Sequence, residues 1–354
     1  MTPTSILKSS LLGFSAASFL SAPALADNEY PSLEISHFIG TVLITQEAGP
    51  ITVEGEDKDT LTRKGGAVHI NGGQVIDNSR CRNVNGKVSL SFGKTNWNWM
   101  KGGYKNLDEY PSLRITVPAD TALIVHDSVV FGTAPDLGAA NIALSSCADL
   151  EIGDVAGPFE AQISGSGDLQ VGDVFGQSRI KVSGSGDLET GDVSDLTLRI
   201  SGSGDVDMGD IIMSDGNTAG IRVSGSGDLE AENIAGHADM RISGSGDAQF
   251  DGLDGDLIYE SSGSGDVYIK DIRAGRISIK TSGSGDVEID DGDARSVFVS
   301  SSGSSEVDMA VITRDAVVNA RGASEVYIKN ASGEREVNRS GSASIRIGKT
   351  RYDD

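Results

Sequence analysis

Ser164-Gly165-Ser166-Gly167-Asp168 stands again, unaltered, at Ser183–Asp187, Ser201–Asp205, Ser224–Asp228, Ser243–Asp247, Ser262–Asp266 and Ser282–Asp286. Degraded copies extend the series: Ser145–Asp149 before it, then Ser302–Glu306, Arg321–Glu325 and Ser340–Ser344 after it. Successive starts lie 19, 19, 18, 23, 19, 19, 20, 20, 19 and 19 residues apart. A period of this size marks a solenoid, in which each repeat buries its apolar side only against its neighbours.

Alignment on the first Ser shows which way each residue faces. Three residues earlier stand Ile180, Leu198, Ile221 and Met240. One residue earlier stand Ile163, Val182, Ile200, Val223 and Ile242, giving way to Ser261, Thr281, Ser301, Ala320 and Arg339. Five residues later stand Leu169, Leu188, Val206, Leu229, Ala248, Val267 and Val287. The two glycines share this apolar parity, whereas Lys181, Ser183, Ser185, Asp187 and Glu189 hold the other. Period-two alternation is strand-like, with an inward side that is aliphatic, then bare, then aliphatic again. A bare inward position lets the backbone approach the neighbouring wall, and glycine tolerates the dihedrals of a corner. Gly172-Asp173, Gly191-Asp192 and Gly209-Asp210 mark a second corner.

About two short strands and two turns per repeat predict an all-β, single-stranded, right-handed parallel β-helix of about 19–20 residues per turn, its hand following from parallel crossovers. Coils stacked at about 4.8 Å make a rod on the order of 50 Å long. The 23-residue interval must hold an insertion, placed at 213–219.

Residues 1–26 read as a signal peptide: Lys8, an apolar run from Leu11 to Leu20, and Ala24-Leu25-Ala26 before the expected cleavage. The run is too short for a membrane span, which needs about 20 apolar residues. No Cys for a lipid anchor and no twin-Arg pair accompany it. Residues 27–125 form a strand-rich part with an aromatic loop at 93–106, residues 126–347 the regular repeats, and 348–354 a polar tail. A formal charge of −23 argues against binding nucleic acid or anionic lipid. With 46 glycines and 5% aromatics, a thick globular core is not expected.

The chain's two tryptophans, Trp97 and Trp99, share a face if the loop is extended, and with Tyr104 offer a candidate platform for a sugar or partner; the competing reading has them cover the solenoid's flank. Asp168, Asp187, Asp205, Asp228, Asp247, Asp266 and Asp286, continued by Glu306 and Glu325, form an acidic ladder. Like charges about 5 Å apart repel by under ~1 kcal/mol per pair in water, which invites a cation such as Ca²⁺. Calcium takes roughly six to eight oxygens, however, and one carboxylate per turn offers few. The favoured reading has each Asp accept turn amides and keep the rod soluble. Cys81 and Cys147 either pair in an oxidising compartment or remain free thiols. His37, His69, His126 and His237 are read as too scattered to serve a nucleophilic serine. Apart from the Ca²⁺ option, no cofactor is implied.

The alternating entry strands, Tyr110–Pro118 and the serial Ser-Gly-Ser-Gly-Asp-Leu units are similar to the GIN-domain family, described as auto-transporter adhesin head domains of exported bacterial proteins. The resemblance spans most of residues 35–345 and implies a β-helix without assigned catalytic activity. After Ile347 stands Gly-Lys-Thr-Arg-Tyr-Asp-Asp, with no run of roughly ten-residue alternating strands able to form an outer-membrane barrel. The expectation is a non-catalytic binding or scaffold protein of the periplasm or cell surface, with an envelope protein or glycan as partner and no transmembrane span in the mature chain. A polysaccharide-acting β-helix enzyme is the alternative; the near-constant period leaves little room for the loops that such a site needs.

Overall fold

Inward and outward residues alternate through the repeats, and in the computed structural model this alternation closes into a parallel β-solenoid of about 12 turns. The structure describes residues 30–55, 61–74, 76, 80–84, 87–92 and 104–352. Among these residues no helix is long and apolar enough to cross a membrane. One coil comprises the strand Asp168–Val171, the corner at Gly172-Asp173, the strand Val174–Val182 and the bend at residues 183–187. The longer strand shifts register between Val174 and Gln177, so the coil has three walls rather than two. This third corner is also marked by glycine: a Cβ on Gly176 would lie 2.3 Å from the Gly157 carbonyl oxygen, and one on Gly255 2.1 Å from that of Gly236.

Equivalent residues stack in register. Leu169, Leu188, Val206, Leu229, Ala248, Val267 and Val287 form one buried column. Burying each Val or Leu stabilises the fold by roughly 1.5–3 kcal/mol relative to exposure. The insertion falls where expected: Ser194 pairs with Ile212 and Thr197 with Gly220, which leaves five additional residues within 213–219.

The pentapeptide glycines face inward as the parity implies. A Cβ on Gly184 would sit 1.9 Å from the Gly165 carbonyl oxygen, and one on Gly186 2.0 Å from that of Gly167. None of the glycines in the seven intact copies has a left-handed φ, so close approach rather than an unusual dihedral requires them. The second glycine also abuts the branched residue one coil back, as Gly265 does the Ile242 side chain. This explains the change at Thr281 and Ser301 in the column before the motif. In Ser302–Glu306 the second glycine is replaced by Ser305, whose buried hydroxyl meets Thr281 at 2.7 Å and Ser301 at 2.9 Å. Small hydroxyl residues replace Ile and Val where a side chain must fit.

The first coils do not follow chain order. Strands Ser32–Ser36 and Ile39–Gln46 lie between Ala122–Ala134 on one side and Ala67–Asn71 with Ser112–Val117 on the other, all parallel. The strand Ala122–Ala134 also runs across the division placed at residue 125. At the rod's end Thr52–Glu54 and Leu61–Lys64 pair antiparallel with Ser112–Val117 and Ala67–Asn71 and cover their edges. At the other end Thr350–Arg351, within the expected polar tail, folds antiparallel onto Ser344–Ile347.

Candidate functional site

A three-stranded antiparallel sheet, Arg80–Val84, Lys87–Ser91 and Lys105–Asn106, stands apart from the solenoid sheet. Two anchors hold it against the coils. Leu90 is buried with Ile39 and Val129, and a disulfide joins Cys81 to Cys147 with a Cα separation of 6.1 Å. Cys147 occupies a pentapeptide position, so the staple fixes the small sheet to the start of the repeated corner. Between sheet and corner lies a groove of about 630 Å³ lined by Arg80, Arg82, Tyr104, Phe131, Ser146, Asp149, Ser166 and Asp168.

The groove joins residues far apart in sequence. Tyr104 is 47% exposed, and Arg80 and Arg82 line the same groove as Asp149 and Asp168. Burial pushes the Asp149 carboxyl above its ordinary range, and the negative charges of Asp168 and Glu151 push the same way. Such a surface can stack on a sugar ring and hold hydroxyl or acidic groups by planar hydrogen bonding. Trp97 and Trp99 lie outside the described residues.

The ladder aspartates have a backbone partner. The amide of Asp187 donates to Asp168 Oδ1 at 3.1 Å, and Asp205, Asp228, Asp247, Asp266 and Asp286 each donate likewise to the aspartate one coil back, at 2.7–2.9 Å. Glu306 N–H donates to Asp286 Oδ1 at 2.6 Å. Burial, then the charges of Glu325 and Asp286, raise the Glu306 carboxyl above its usual value. Among the described residues no group of three or more His, Cys, Asp or Glu is placed to hold a metal ion.

The second corner repeats the device. Asp154, Asp173, Asp192 and Asp210 amides donate to Asp136, Asp154, Asp173 and Asp192 Oδ1 at 2.9–3.0 Å. A Cβ on Gly172 would lie 2.3 Å from Asp154 Oδ1, and one on Gly191 2.2 Å from Asp173 Oδ1. Gly precedes Asp here because the previous coil's carboxylate fills that space. Of the pentapeptide serines, Ser183 and Ser224 Oγ donate to the Ile163 and Ile200 carbonyls at 3.3 Å.

The histidines are not scattered. Glu34 and His69 are direct register partners on adjacent strands, and Glu34 receives His69 Nδ1 at 2.6 Å and His126 Nε2 at 3.1 Å. His126 Nδ1 meets Asp127 Oδ2 at 3.1 Å, and the His37 ring meets that of His126 edge-on. Burial opposes charge on Glu34, but the hydrogen bond from His126 and the charge of His69 bring its carboxyl below the ordinary value. Burial also works against charged His126, yet the bonds to Glu34 and Asp127 raise it. Spacing in the chain hides this cluster because the first coils stack out of chain order. His237 serves a corner instead, accepting the Asp256 amide at 2.9 Å.

A family model described as "Putative auto-transporter adhesin, head GIN domain" matches residues 113–253 and again 242–350. No curated protein and no solved structure gives a match.

Proposed function

The chain belongs to the head GIN domain family of auto-transporter adhesins, and from that membership we propose a non-catalytic binding and scaffold module of the bacterial envelope or surface. The observation that carries this reading is the stapled groove, which an exposed aromatic ring, two arginines and the carboxylates of the first coils line together. A glycan, or an envelope protein bearing one, is the ligand class that fits ring stacking beside charged hydrogen-bonding groups. Binding without catalysis is supported by the serines named above that donate to backbone carbonyls, and by coils of near-constant length with one five-residue insertion. Export in an oxidising compartment agrees with the disulfide.

The test is a glycan array and envelope pull-down with the wild-type chain and Tyr104→Ala/Arg82→Ala. Both positions are exposed, so the fold should survive. The reading requires a retained glycan or partner and at least a tenfold loss in the variant. Equal retention by both would remove the groove from the account.

A further inference from the structure

The wall before the pentapeptide corner carries a charge pattern opposite to that of the chain. Lys181, Arg199, Arg222, Arg241, Glu260 and Lys280 are successive register partners, so five cations and one carboxylate stand in single file over six coils. At about 4.8 Å per step the file is about 24 Å long. Arg179 and Asp239 occupy the adjacent outward column, which gives six cations against two carboxylates, a surplus of four, on a chain of net −23. Across the corner, the stretches from Asp168 to Asp286 and from Glu189 through Asp207 and Glu230 to Glu288 contain no cation.

From Arg199 to Lys280 the file lines a groove of about 660 Å³. Arg222 Nη2 donates to Asp239 Oδ2 at 3.2 Å and its Nη1 to the Ile221 and Asp239 carbonyls at 2.9 and 2.8 Å, and Arg241 Nε donates to Glu260 at 3.0 Å, so these two guanidinium groups are oriented in advance. Arg199 and Lys280 are exposed and have no ion pair among the described residues. Gly220 opens the floor, because a Cβ there would meet nothing within 4 Å. Ile258, 46% exposed, adds an apolar contact in the same outward column.

The geometry points to a binding site for a linear carboxylated polysaccharide lying along the rod axis, one acidic sugar to each coil. In an extended polyuronate each sugar carries one carboxylate, a repeat of the same order as the coil spacing, and Arg forks suit carboxylates. The chain's overall charge repels any polyanion at long range but is screened beyond about 8 Å at physiological salt, so the file governs at contact. A narrow ligand stays over the file. A wide duplex, or the flat wall of a second rod, would overlap the acidic columns or fail to enter the groove. This assignment rests on the reading of the chain as a binding module, yet it uses a surface separate from the Tyr104 groove.

Titration calorimetry of the full chain with polygalacturonate, with its fully methyl-esterified form and with polyphosphate tests it, using wild type, Arg199→Glu/Lys280→Glu and Tyr104→Ala. Expected are salt-sensitive binding of polygalacturonate by wild type and Tyr104→Ala, at least a tenfold loss in the double variant, and no binding of the ester. Circular dichroism verifies that the double variant is folded. Absence of wild-type binding, an unaffected double variant, or equal binding of the ester overturns the proposal. So does loss confined to Tyr104→Ala, which would move the ligand to the other groove. Polyphosphate binding as tight as polygalacturonate overturns the carboxylate assignment. Self-association of wild type abolished in the double variant, seen by sedimentation, would give the face to a second copy instead.

Discussion

Replacing Gly225 by Ala should break the close approach that shapes the corner. The added Cβ would lie 1.9 Å from the Gly202 carbonyl oxygen and 2.9 Å from the carbonyl carbons of Gly202 and Ser201, where ordinary contact begins near 3.4 Å. Relief needs a displacement of 3.4 − 1.9 = 1.5 Å between neighbouring coils. Such a shift stretches the Ser224 amide bond to Ile200 O, now 2.8 Å, and the Ser226 bond to Gly202 O, now 2.9 Å, beyond hydrogen-bonding range. Overpacking costs about 1–3 kcal/mol and each lost bond about 0.5–1.5, against a gain of about 0.4–1 from stiffening the unfolded chain. The net expectation is a loss of about 1–6 kcal/mol. Gly220→Ala is the matched control, since its Cβ meets nothing, and should leave stability unchanged or raise it by up to about 1 kcal/mol. Urea unfolding followed by far-ultraviolet circular dichroism reads both. Unfolding of Gly225→Ala at the wild-type midpoint, or an equal loss in the control, would refute the reasoning.

Asp205→Asn keeps an acceptor for the Asp228 amide and should leave the unfolding midpoint unchanged or slightly raised, whereas Asp205→Ala should lose about 1 kcal/mol. If both variants lost stability only when Ca²⁺ had been present, the ladder would be a cation site rather than a backbone device. The Glu34–His126 contact sets a pH window. The raised His126 contributes fully below 6.5 and loses its contribution as pH climbs through its folded value; the lowered Glu34 contributes fully above 4.5 and loses it as pH falls. Thermal midpoints of wild type and His126→Asn should therefore differ most between pH 4.5 and 6.5 and converge as pH rises beyond the raised His126 value; a constant difference would contradict the pairing. Cys81→Ser/Cys147→Ser opens a link spanning 66 residues, worth about 2–4 kcal/mol to what it ties down. Limited proteolysis should then cleave the small sheet while the repeats stay intact, and a cleavage pattern like that of wild type would count against the staple.

The repeated coils were legible because their register depends on a period-two pattern that the chain repeats with little change. Leu169 and its column, the inward glycines and the insertion at 213–219 all follow from it. The third corner was harder to read, for Gly157, Gly176, Gly236, Gly255 and Gly275 recur without a fixed neighbour, and Asp195, with a φ of 46°, stands in their place in one coil. In the first coils, out-of-order stacking brings Glu34 to His69 and His126 although these residues lie 35 and 92 positions away. The stapled groove depends on the pairing of Cys81 with Cys147, which composition left open. The basic file was hidden differently. Each of its members is an ordinary polar residue at an outward position, and only the register across six coils aligns them.

The central claim is that this solenoid acts as a binding surface through one wall of its rod. Lysine acetylation of the intact protein, quantified by mass spectrometry with and without polygalacturonate, addresses it directly. The account requires protection of Lys280, with Lys329 and Lys349 at the far end of the rod modified as before. Uniform protection, or none at Lys280, would contradict it.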